Sequence, residues 1–260
     1  MGPGSAKRPS YSFDAVLFEP AIRHLIAAAR PHTGDTVLDL ACGSGIGACK
    51  AGTLSGPRGY VCGVDVGPNV LRKAASLYTG QAPAAWVRAD MGLLPFADRS
   101  FSLVLCHQGL QFAADRAAVV AQMRRVTADG GRVAVMCWSH IADCPFYLAL
   151  RDVLDRHLGP AAAACATAPF SLPEEDDLRG LLAASFARVS ITRVGVHTAH
   201  PSAGDFAGAF LRYIPEAAAP AAERAAKEAA IVAEMDRRLG PWQVQGPMIA
   251  PIVANLAVCR

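Results

Sequence analysis

The sequence predicts an α/β fold, in which helices cover both faces of a mostly parallel sheet. Short apolar runs alternate with stretches of helical periodicity, and this alternation is typical of parallel strands joined by right-handed crossover helices. Residues 103–106 are apolar at every position, as expected for a strand that is covered on both faces. The strands predicted up to residue 138 are 36–40, 60–64, 84–88, 101–106 and 132–138.

The stretches around these runs predict helices, beginning with 11–30, whose apolar side includes Val16, Leu17 and Leu25. After residue 138 the pattern changes, and an Ala- and Pro-rich segment at 159–173 predicts an irregular connection. The other predicted helices are 45–53, 68–78, 115–127, 146–158, 174–186, 203–213 and 221–239, with further strands at 189–198 and 248–258.

Composition and charge limit the classes of function. Hydrophobic residues make up 52% of the chain, enough for a sizeable core, and a net charge of +3 is too small to indicate a nucleic-acid partner. No apolar stretch approaches the ~18 residues of a membrane span, so we expect no membrane partner. We interpret residues 1–5 as a cloning remnant, within a tag and disordered start over 1–10. The start carries no secretion signal, which predicts a cytoplasmic protein. Residues 11–260 are expected to form one domain, with an N-terminal helical cap and a helical insertion near 200–245.

The eight cysteines include neither a CxxC pair nor a spacing that suits zinc. Four of them, Cys62, Cys106, Cys137 and Cys259, fall within apolar runs typical of strands. We therefore predict buried thiols that pack as small hydrophobic side chains, and no metal site.

A turn of small residues follows the first predicted strand. The chain passes from apolar positions through Asp39 to Gly43 and Gly45. Glycine lets the backbone approach a ligand closely because no Cβ stands in the way. Ligands of open α/β sheets bind where strands end and helices begin. The acidic residue beside the turn argues against a bare phosphate as the ligand.

Three aspartates end successive predicted strands and should therefore lie along one edge of the sheet. Asp65 follows Gly43 by 22 residues, where a carboxylate accepts hydrogen bonds from both hydroxyls of a ribose. Asp90 can accept from an adenine amino group, and Met91 can pack on the ring face. Together with Asp39, these carboxylates suit a cofactor with a positive sulfonium centre better than a pyrophosphate.

Four segments occur in an order and spacing that carry a family resemblance. They are VLDLACGSG at 37–45, GVDVGPNVLRKA at 63–74, RADMGLLPFADRSFSLVLC at 88–106 and MRRVTADGGRVAVMCW at 123–138. Together they resemble class I S-adenosylmethionine-dependent methyltransferases of the small-molecule branch related to ubiquinone and menaquinone biosynthesis. The resemblance implies a Rossmann-like sheet of seven strands with an antiparallel last strand, for which 248–258 is the candidate. Ala41 stands where this family usually has the first glycine of the turn.

The resemblance implies S-adenosyl-L-methionine as cofactor and S-adenosyl-L-homocysteine as product. The turn would contact the methionine part, Asp65 would hold the ribose, and Asp90 would face the adenine. The full set expected to bind the cofactor is Asp39, Ala41, Gly43, Ser44, Gly45, Asp65, Val66, Asn69, Ala89, Asp90, Met91, His107 and Gln108.

Methyl transfer is an in-line displacement, for which the enzyme mainly needs to position the nucleophile. A general base helps where an O, N or C nucleophile must lose a proton. The candidates at strand ends are His107 and His140, with Asp143 behind His140. Gln108 and Gln111 either orient a polar group of the substrate or line the start of a helix.

The segments expected to cover the site are rich in aromatic residues, which predicts a hydrophobic or aromatic small-molecule substrate. The composition suggests bacterial secondary metabolism, and the protein would act as a monomer or homodimer. The segments expected to contact the substrate are 11–18, 141–147, 206–213 and 221–239, together with Trp242.

Other functions remain open at this point. A cyclase or accessory protein that binds the cofactor without transferring a methyl group would carry the same cofactor residues. A nicotinamide-dependent oxidoreductase would need a cleaner G-x-G-x-x-G and a catalytic Tyr/Lys pair. A nucleic-acid methyltransferase would need a basic stripe, and residues 107–109 lack the Asn/Asp-Pro-Pro-Tyr/Phe segment of amino-methylating enzymes.

Overall fold

The computed structural model describes residues 13–214, 221–243 and 246–260, and a seven-stranded sheet lies at its centre. The strands are β1 (Thr36–Leu40), β2 (Tyr60–Asp65), β3 (Ala84–Arg88), β4 (Phe101–His107), β5 (Thr127–Trp138), β6 (Val189–His200) and β7 (Met248–Cys259). Their order across the sheet is β3-β2-β1-β4-β5-β7-β6.

Strands β1 to β5 are parallel, whereas β7 runs antiparallel to both of its neighbours, β5 and β6. This arrangement confirms the predicted sheet and the assignment of 248–258 to its antiparallel last strand. The order of strands reverses between β1 and β4, which opens a crevice beyond their carboxyl ends. Crevices at such a reversal are where open α/β sheets bind ligands.

Helices cover both faces of this sheet. They are α1 (Phe13–Ala29), α2 (Ile46–Ser55), α3 (Pro68–Leu77), α4 (Arg116–Val126), α5 (Pro145–Leu158), α6 (Pro160–Thr167), α7 (Glu175–Ala183), α8 (Ala203–Phe210) and α9 (Ala221–Leu239). Because side chains alternate across a strand, Leu103 and Leu105 pack into one apolar layer and Val104 and Cys106 into the other. The first layer includes side chains of α1, α5, α8 and α9, and the second includes side chains of α4 and α7.

The segment 159–173 differs from the sequence expectation, because most of it is helical. Gly159, with φ 86°, follows the end of α5, and Pro160 takes the first position of α6 ahead of a run of alanines. Proline suits the first helical position and alanine has the highest helix propensity. The composition that suggested an irregular connection therefore favours a short helix, followed by a 3-10 turn at Ala168–Phe170.

Several further expectations can be compared with the described residues. All eight cysteines are free thiols, and the burial of Cys62, Cys106, Cys137 and Cys259 confirms their predicted place in the core. Strand β5 begins at Thr127, five residues before its predicted start. Residues 1–12, which include the predicted cloning remnant, lie outside the described ranges. Within those ranges, no helix is both long and apolar enough to cross a membrane, and no cluster of three metal-ligating side chains occurs.

Candidate cofactor and substrate site

Three carboxylates lie at or just beyond the carboxyl ends of parallel strands, on one side of the crevice. Asp39 is the penultimate residue of β1, Asp65 is the last residue of β2, and Asp90 comes two residues after β3. Since β3, β2 and β1 are neighbours in the sheet, the structure places all three aspartates along one edge. The turn between β1 and α2 lies at the same edge.

That turn depends on backbone conformations that favour glycine. Ala41, Gly43 and Gly45 have φ angles of 52°, 53° and 80°, and all three fall in the left-handed region. A Cβ on Gly45 would stand 2.9 Å from the Trp86 ring and 3.0 Å from Ala74, whereas a Cβ on Gly43 would meet no protein atom within 4 Å. Gly45 is therefore required for packing, and Gly43 leaves open space on the cleft side of the turn.

We expect Gly45→Ala to lower the free energy of unfolding by about 1–3 kcal/mol more than Gly43→Ala does. Both substitutions place a Cβ in the left-handed region, which costs roughly 1–2 kcal/mol. The Gly45 variant also forces the added methyl group into Trp86 and Ala74. Chemical denaturation of both variants and the wild type measures this difference, and equal losses would contradict the packing role of Gly45.

The Asp65 carboxylate links the turn to β2. Its Oδ2 accepts a hydrogen bond from the Gly43 N–H at 3.1 Å, and its Oδ1 accepts from the Gly67 N–H at 2.9 Å. An ionised carboxylate has about four acceptor positions, so two remain for other donors. The carboxylate is half-buried and lines an open cleft. This geometry suits the two neighbouring hydroxyls of a ribose.

The first of three cavities lies over Asp65 and Asp90, and we call it the outer cleft. It has a volume of about 750 Å³, and its other walls include the apolar side chains of Val66, Met91 and Phe112. Asp90 Oδ1 accepts a hydrogen bond from the Gly92 N–H at 2.7 Å, which orients this exposed carboxylate. Apolar walls beside an oriented acceptor suit a purine ring with an amino group.

The second cavity lies over the glycine turn, and we call it the inner cleft. It has a volume of about 240 Å³ and is lined by Asp39, by residues 41–44 of the turn, and by Phe18, Lys73 and His107. Asp39 is 3% exposed, and burial raises its pKa to about 7. A Cβ on Gly47 would lie 2.9 Å from Asp39 Oδ2, so a side chain at this position would displace the carboxylate. A cation that enters the inner cleft would stabilise the ionised form of Asp39.

The third cavity is apolar, and we call it the apolar chamber. It has a volume of about 400 Å³. Its walls come from α1, the ends of β4 and β5, α5, α6 and α8, together with short 3-10 turns, and they include Leu17, Phe18, Trp138, Tyr147, Phe210 and Tyr213. The chamber shares Phe18, Gln108 and Tyr213 with the inner cleft. Two cavities of different polarity therefore meet beside the glycine turn.

The structure separates the aromatic residues that sequence could not distinguish. Tyr147 and Phe210 line the apolar chamber, whereas Phe146 and Phe206 are fully buried in the core. Trp242 is 56% exposed and lines none of the three cavities. The same is true of every described residue of α9, so the expected substrate contact by 221–239 is not found there.

His107 ends β4 and lines the inner cleft. Its ring makes edge-on contacts with Phe18 and Trp138, at centroid distances of 5.7 and 6.2 Å. Burial lowers the pKa of His107 to about 3, because the charged imidazolium loses its hydration. A base role for His107 stays a prediction that this environment disfavours, since so weak a base takes up a proton poorly near neutral pH.

His140 lies outside the inner cleft. It follows β5, its Nε2 lies 3.2 Å from Glu174 Oε1, and its side chain is 43% exposed. Asp143 does not stand behind it, because its carboxylate pairs with Arg193 of β6. His140 lines none of the three cavities. The base role of His140 therefore has no support from the geometry of the site.

Most of the residues expected to bind the cofactor line one of the two clefts, and three do not. Asn69 is exposed on α3 and accepts a hydrogen bond from Arg72. The backbone N–H of Ala89 donates to the Asp65 carbonyl oxygen at 3.3 Å, and its side chain packs against the core. Gly45 faces Trp86. Sequence reasoning missed Val70 and Lys73 of α3, which line the inner cleft and lie three residues apart on one face of that helix.

Comparison with known proteins agrees with this arrangement. Residues 38–135 match the family model described as a methyltransferase domain. The matched part begins in β1 and ends within β5, so it contains the glycine turn and the edge with the three aspartates. In its fold, in the arrangement of its site and in this match, this part of the chain resembles class I, S-adenosylmethionine-dependent methyltransferases. Within that class it resembles the enzymes of quinone biosynthesis.

Two curated relatives illustrate the resemblance. The chain is 37% identical over 142 residues to the 2-phytyl-1,4-naphtoquinone methyltransferase of Synechococcus elongatus, a match that covers 53% of this chain and 60% of that protein. It is 31% identical over 119 residues to the aklanonic acid methyltransferase DauC of a Streptomyces species, with 45% and 54% covered. The matches therefore span little more than half the length of these curated relatives.

A solved structure extends the similarity of fold to nearly the whole chain. It is a methyltransferase candidate from an antibiotic biosynthesis pathway of Anabaena variabilis. The TM-score is 0.65 at 14% identity, and the alignment covers 96% of this chain and 100% of that one. At this identity the similarity concerns the fold alone.

Proposed function

We propose that this protein transfers a methyl group from S-adenosylmethionine to an O, N or C nucleophile of an aromatic or otherwise apolar small molecule. The observation that carries the proposal is the apolar chamber, which joins the inner cleft at Phe18, Gln108 and Tyr213. A molecule in the chamber would face the part of the cleft that borders the glycine turn. Such a shared boundary is what a group transfer between two bound molecules requires.

The residues of the two clefts fit the cofactor. Asp65 has free acceptor positions for the ribose, and the outer cleft offers apolar walls beside Asp90 for the adenine. The space beside Gly43 lets backbone approach the methionine part, and Asp39 supplies negative charge near it. When bound there, S-adenosylmethionine would supply an electrophilic methyl group on a sulfonium centre.

The protein's own contribution would be mainly positional. The half-buried His107 is a weak base, because its pKa is lowered to about 3, and His140 lies outside the three cavities, so proton removal by these residues has little support. Holding the nucleophile in line with the methyl group and excluding water are the effects that the aromatic walls provide. This favours substrates whose nucleophile ionises readily, such as phenols and enols.

The names of the relatives support this class of substrate. One relative is named for a naphthoquinone and another for aklanonic acid. A chamber of about 400 Å³ with aromatic walls suits a fused-ring molecule of comparable kind. A place in bacterial secondary metabolism, a cytoplasmic location and a monomeric or homodimeric state are parts of the same proposal. So is a single domain over 11–260.

An activity assay tests the proposal. The purified protein is incubated with S-adenosylmethionine and a panel of naphthols, hydroxynaphthoquinones and hydroxyanthraquinones. We expect S-adenosylhomocysteine to form together with a product heavier by one methylene unit, as detected by mass spectrometry. Calorimetric titration with S-adenosylmethionine and with NAD is the parallel binding experiment. Tight NAD binding without S-adenosylmethionine binding would contradict the proposal, and firm cofactor binding without any methylated product would favour the cyclase or accessory role.

We expect the affinity for S-adenosylmethionine to rise with pH up to about 7 and then to level off. A bound cation favours ionised Asp39, whose pKa burial raises to about 7 in the free protein, so binding below that pH releases a proton. In the free protein, the folded state holds the Asp39 proton more tightly than the unfolded state does. The stabilisation that results is complete below pH 3.8 and is lost as the pH rises to about 7. Calorimetry across this range measures the slope, which Asp39→Asn should flatten. An unchanged slope in that variant would contradict the assignment.

A further inference from the structure

Two amide side chains meet where the apolar chamber joins the clefts. Gln108 is 9% exposed and Gln111 is 3% exposed, and both line the chamber. Gln111 Nε2 donates to Gln108 Oε1 at 2.5 Å and to the Pro169 carbonyl oxygen at 3.3 Å. The Trp138 backbone N–H donates to Gln108 Oε1 at 3.2 Å. Both amides are therefore held by backbone groups as well as by each other.

These contacts fix the orientation of each amide. Turning the Gln108 amide over would set its NH₂ group against the Trp138 N–H, a contact between two donors. Turning the Gln111 amide over would set its oxygen against the oxygens of Gln108 and Pro169. In the orientation that satisfies these backbone hydrogen bonds, the two amide atoms that are not used are Gln108 Nε2 and Gln111 Oε1. Both atoms are buried, and neither has a hydrogen-bond partner within 13–214, 221–243 and 246–260.

The backbone holds this pair rigidly. Gln108 has φ 54°, a left-handed conformation that is costly for any residue other than glycine. The Gln108 N–H donates to the Met136 carbonyl oxygen at 2.8 Å, which maintains that conformation. On the other side, the Gln111 carbonyl oxygen accepts from Ser171 Oγ at 2.7 Å and from Arg116 at 3.1 Å. The two free groups are therefore pre-positioned for a ligand.

We propose that Gln108 and Gln111 form a donor–acceptor pair that selects substrates with two neighbouring oxygens on an aromatic ring. Gln108 Nε2 donates to one oxygen, which is a hydroxyl or a carbonyl, and the second oxygen is a hydroxyl that donates to Gln111 Oε1. This inference rests on the proposed function, because it names the polar edge of that substrate. A buried donor and acceptor that stay unpaired are costly, so a molecule that lacks either oxygen is rejected.

The surrounding walls make this pair decisive for orientation. Leu17, Phe18, Trp138 and Phe210 offer apolar contacts, which hold a flat ring but do not fix its rotation within the plane. The amide pair fixes that rotation, because one of its groups only donates and the other only accepts. It thereby determines which atom of the ring faces the inner cleft.

The test compares two probes that differ by one hydroxyl, 2,3-dihydroxynaphthalene and 2-naphthol. Their dissociation constants are measured by calorimetry with and without saturating S-adenosylhomocysteine. We expect the wild type to bind the dihydroxy probe at least about fivefold more tightly, the ratio that one net hydrogen bond provides. In Gln111→Met this ratio should fall towards unity. Gln122→Met, the same change on α4 at a position that lines none of the three cavities, should keep the ratio.

Equal affinity of the wild type for both probes would overturn the inference, and this comparison does not depend on any variant folding. A ratio that survives in a folded Gln111→Met protein would overturn it as well. The proposed function fails separately. If the dihydroxy probe is preferred but neither S-adenosylmethionine nor its product binds, methyl transfer is wrong while the selective amide pair stands.

Discussion

Replacing Asp65 with alanine should weaken the binding of S-adenosylmethionine by roughly 30- to 150-fold, because ribose hydroxyls lose a charged acceptor. The substitution has a second effect, since the same carboxylate holds the Gly43 N–H at 3.1 Å and the Gly67 N–H at 2.9 Å. The glycine turn would lose this link to β2 and keep the hydrogen bond from the Cys42 N–H to the Val64 carbonyl oxygen at 3.0 Å. Calorimetric titration measures the dissociation constant directly.

The matched control is Asp129→Ala, at the start of β5. Asp129 is exposed and pairs with Arg99, and it lines neither cleft. We expect this variant to bind the cofactor as the wild type does. If Asp65→Ala kept its affinity while remaining folded, the ribose would have to bind elsewhere and the assignment of the outer cleft would be wrong.

Replacing Arg132 with methionine should lower the free energy of unfolding by about 3–5 kcal/mol, because it leaves a buried carboxylate without its counter-charge. The side chains of Arg132 and Asp35 are 10% and 9% exposed, and they pair at 2.6 Å. Arg132 also donates to the carbonyl oxygens of Ala29 and Arg30, each at 2.5 Å. The guanidinium therefore joins α1 to the sheet. Urea denaturation measures the loss.

The state of Asp35 explains the sign of this effect. Burial alone would raise the pKa of Asp35, but hydrogen bonds from Arg132, from the His32 N–H and from Ser102 outweigh it and hold the pKa below 3.8. The stabilisation is thus present above pH 3.8 and is lost as the pH falls through the lower pKa of the folded state.

Arg99→Met provides the matched control for Arg132→Met. Arg99 pairs with Asp129 at 2.9 Å, but both side chains are more than 60% exposed. Exposed ion pairs contribute roughly 0–1 kcal/mol, so this variant should lose little stability. Equal losses in the two arginine variants would show that burial of the Arg132 pair is not the source of its effect.

The edge of the sheet could be predicted because its signals are local. Apolar runs identify the strands. Because the carboxyl ends of parallel strands lie at one edge of the sheet, Asp39, Asp65 and Asp90 come to the same edge independently of how the helices pack. The antiparallel last strand followed from the family resemblance. The helical nature of 160–167 was missed, because an Ala- and Pro-rich composition does not distinguish a capped short helix from an irregular connection.

The walls of the chamber could not be predicted in the same way. Tyr147 lines the chamber and its neighbour Phe146 lies in the core, since consecutive residues of a helix point about 100° apart. Which of the two faces the cavity depends on how α5 is rotated against α8 and the sheet. Likewise, the position of His140 after β5 suggested a place near the substrate, but its loop turns towards Glu174.

The sequence by itself determined the succession of strands along the chain, the carboxylate edge and the glycine turn, because these depend on patterns within single segments and on the geometry common to parallel sheets. The tertiary structure alone decided that Gly45 serves packing against Trp86, that partial burial makes His107 a weak base, and that Gln108 and Gln111 share one hydrogen bond in the wall of the chamber. Each of these depends on contacts between segments distant in the chain, whose mutual orientation no local pattern encodes.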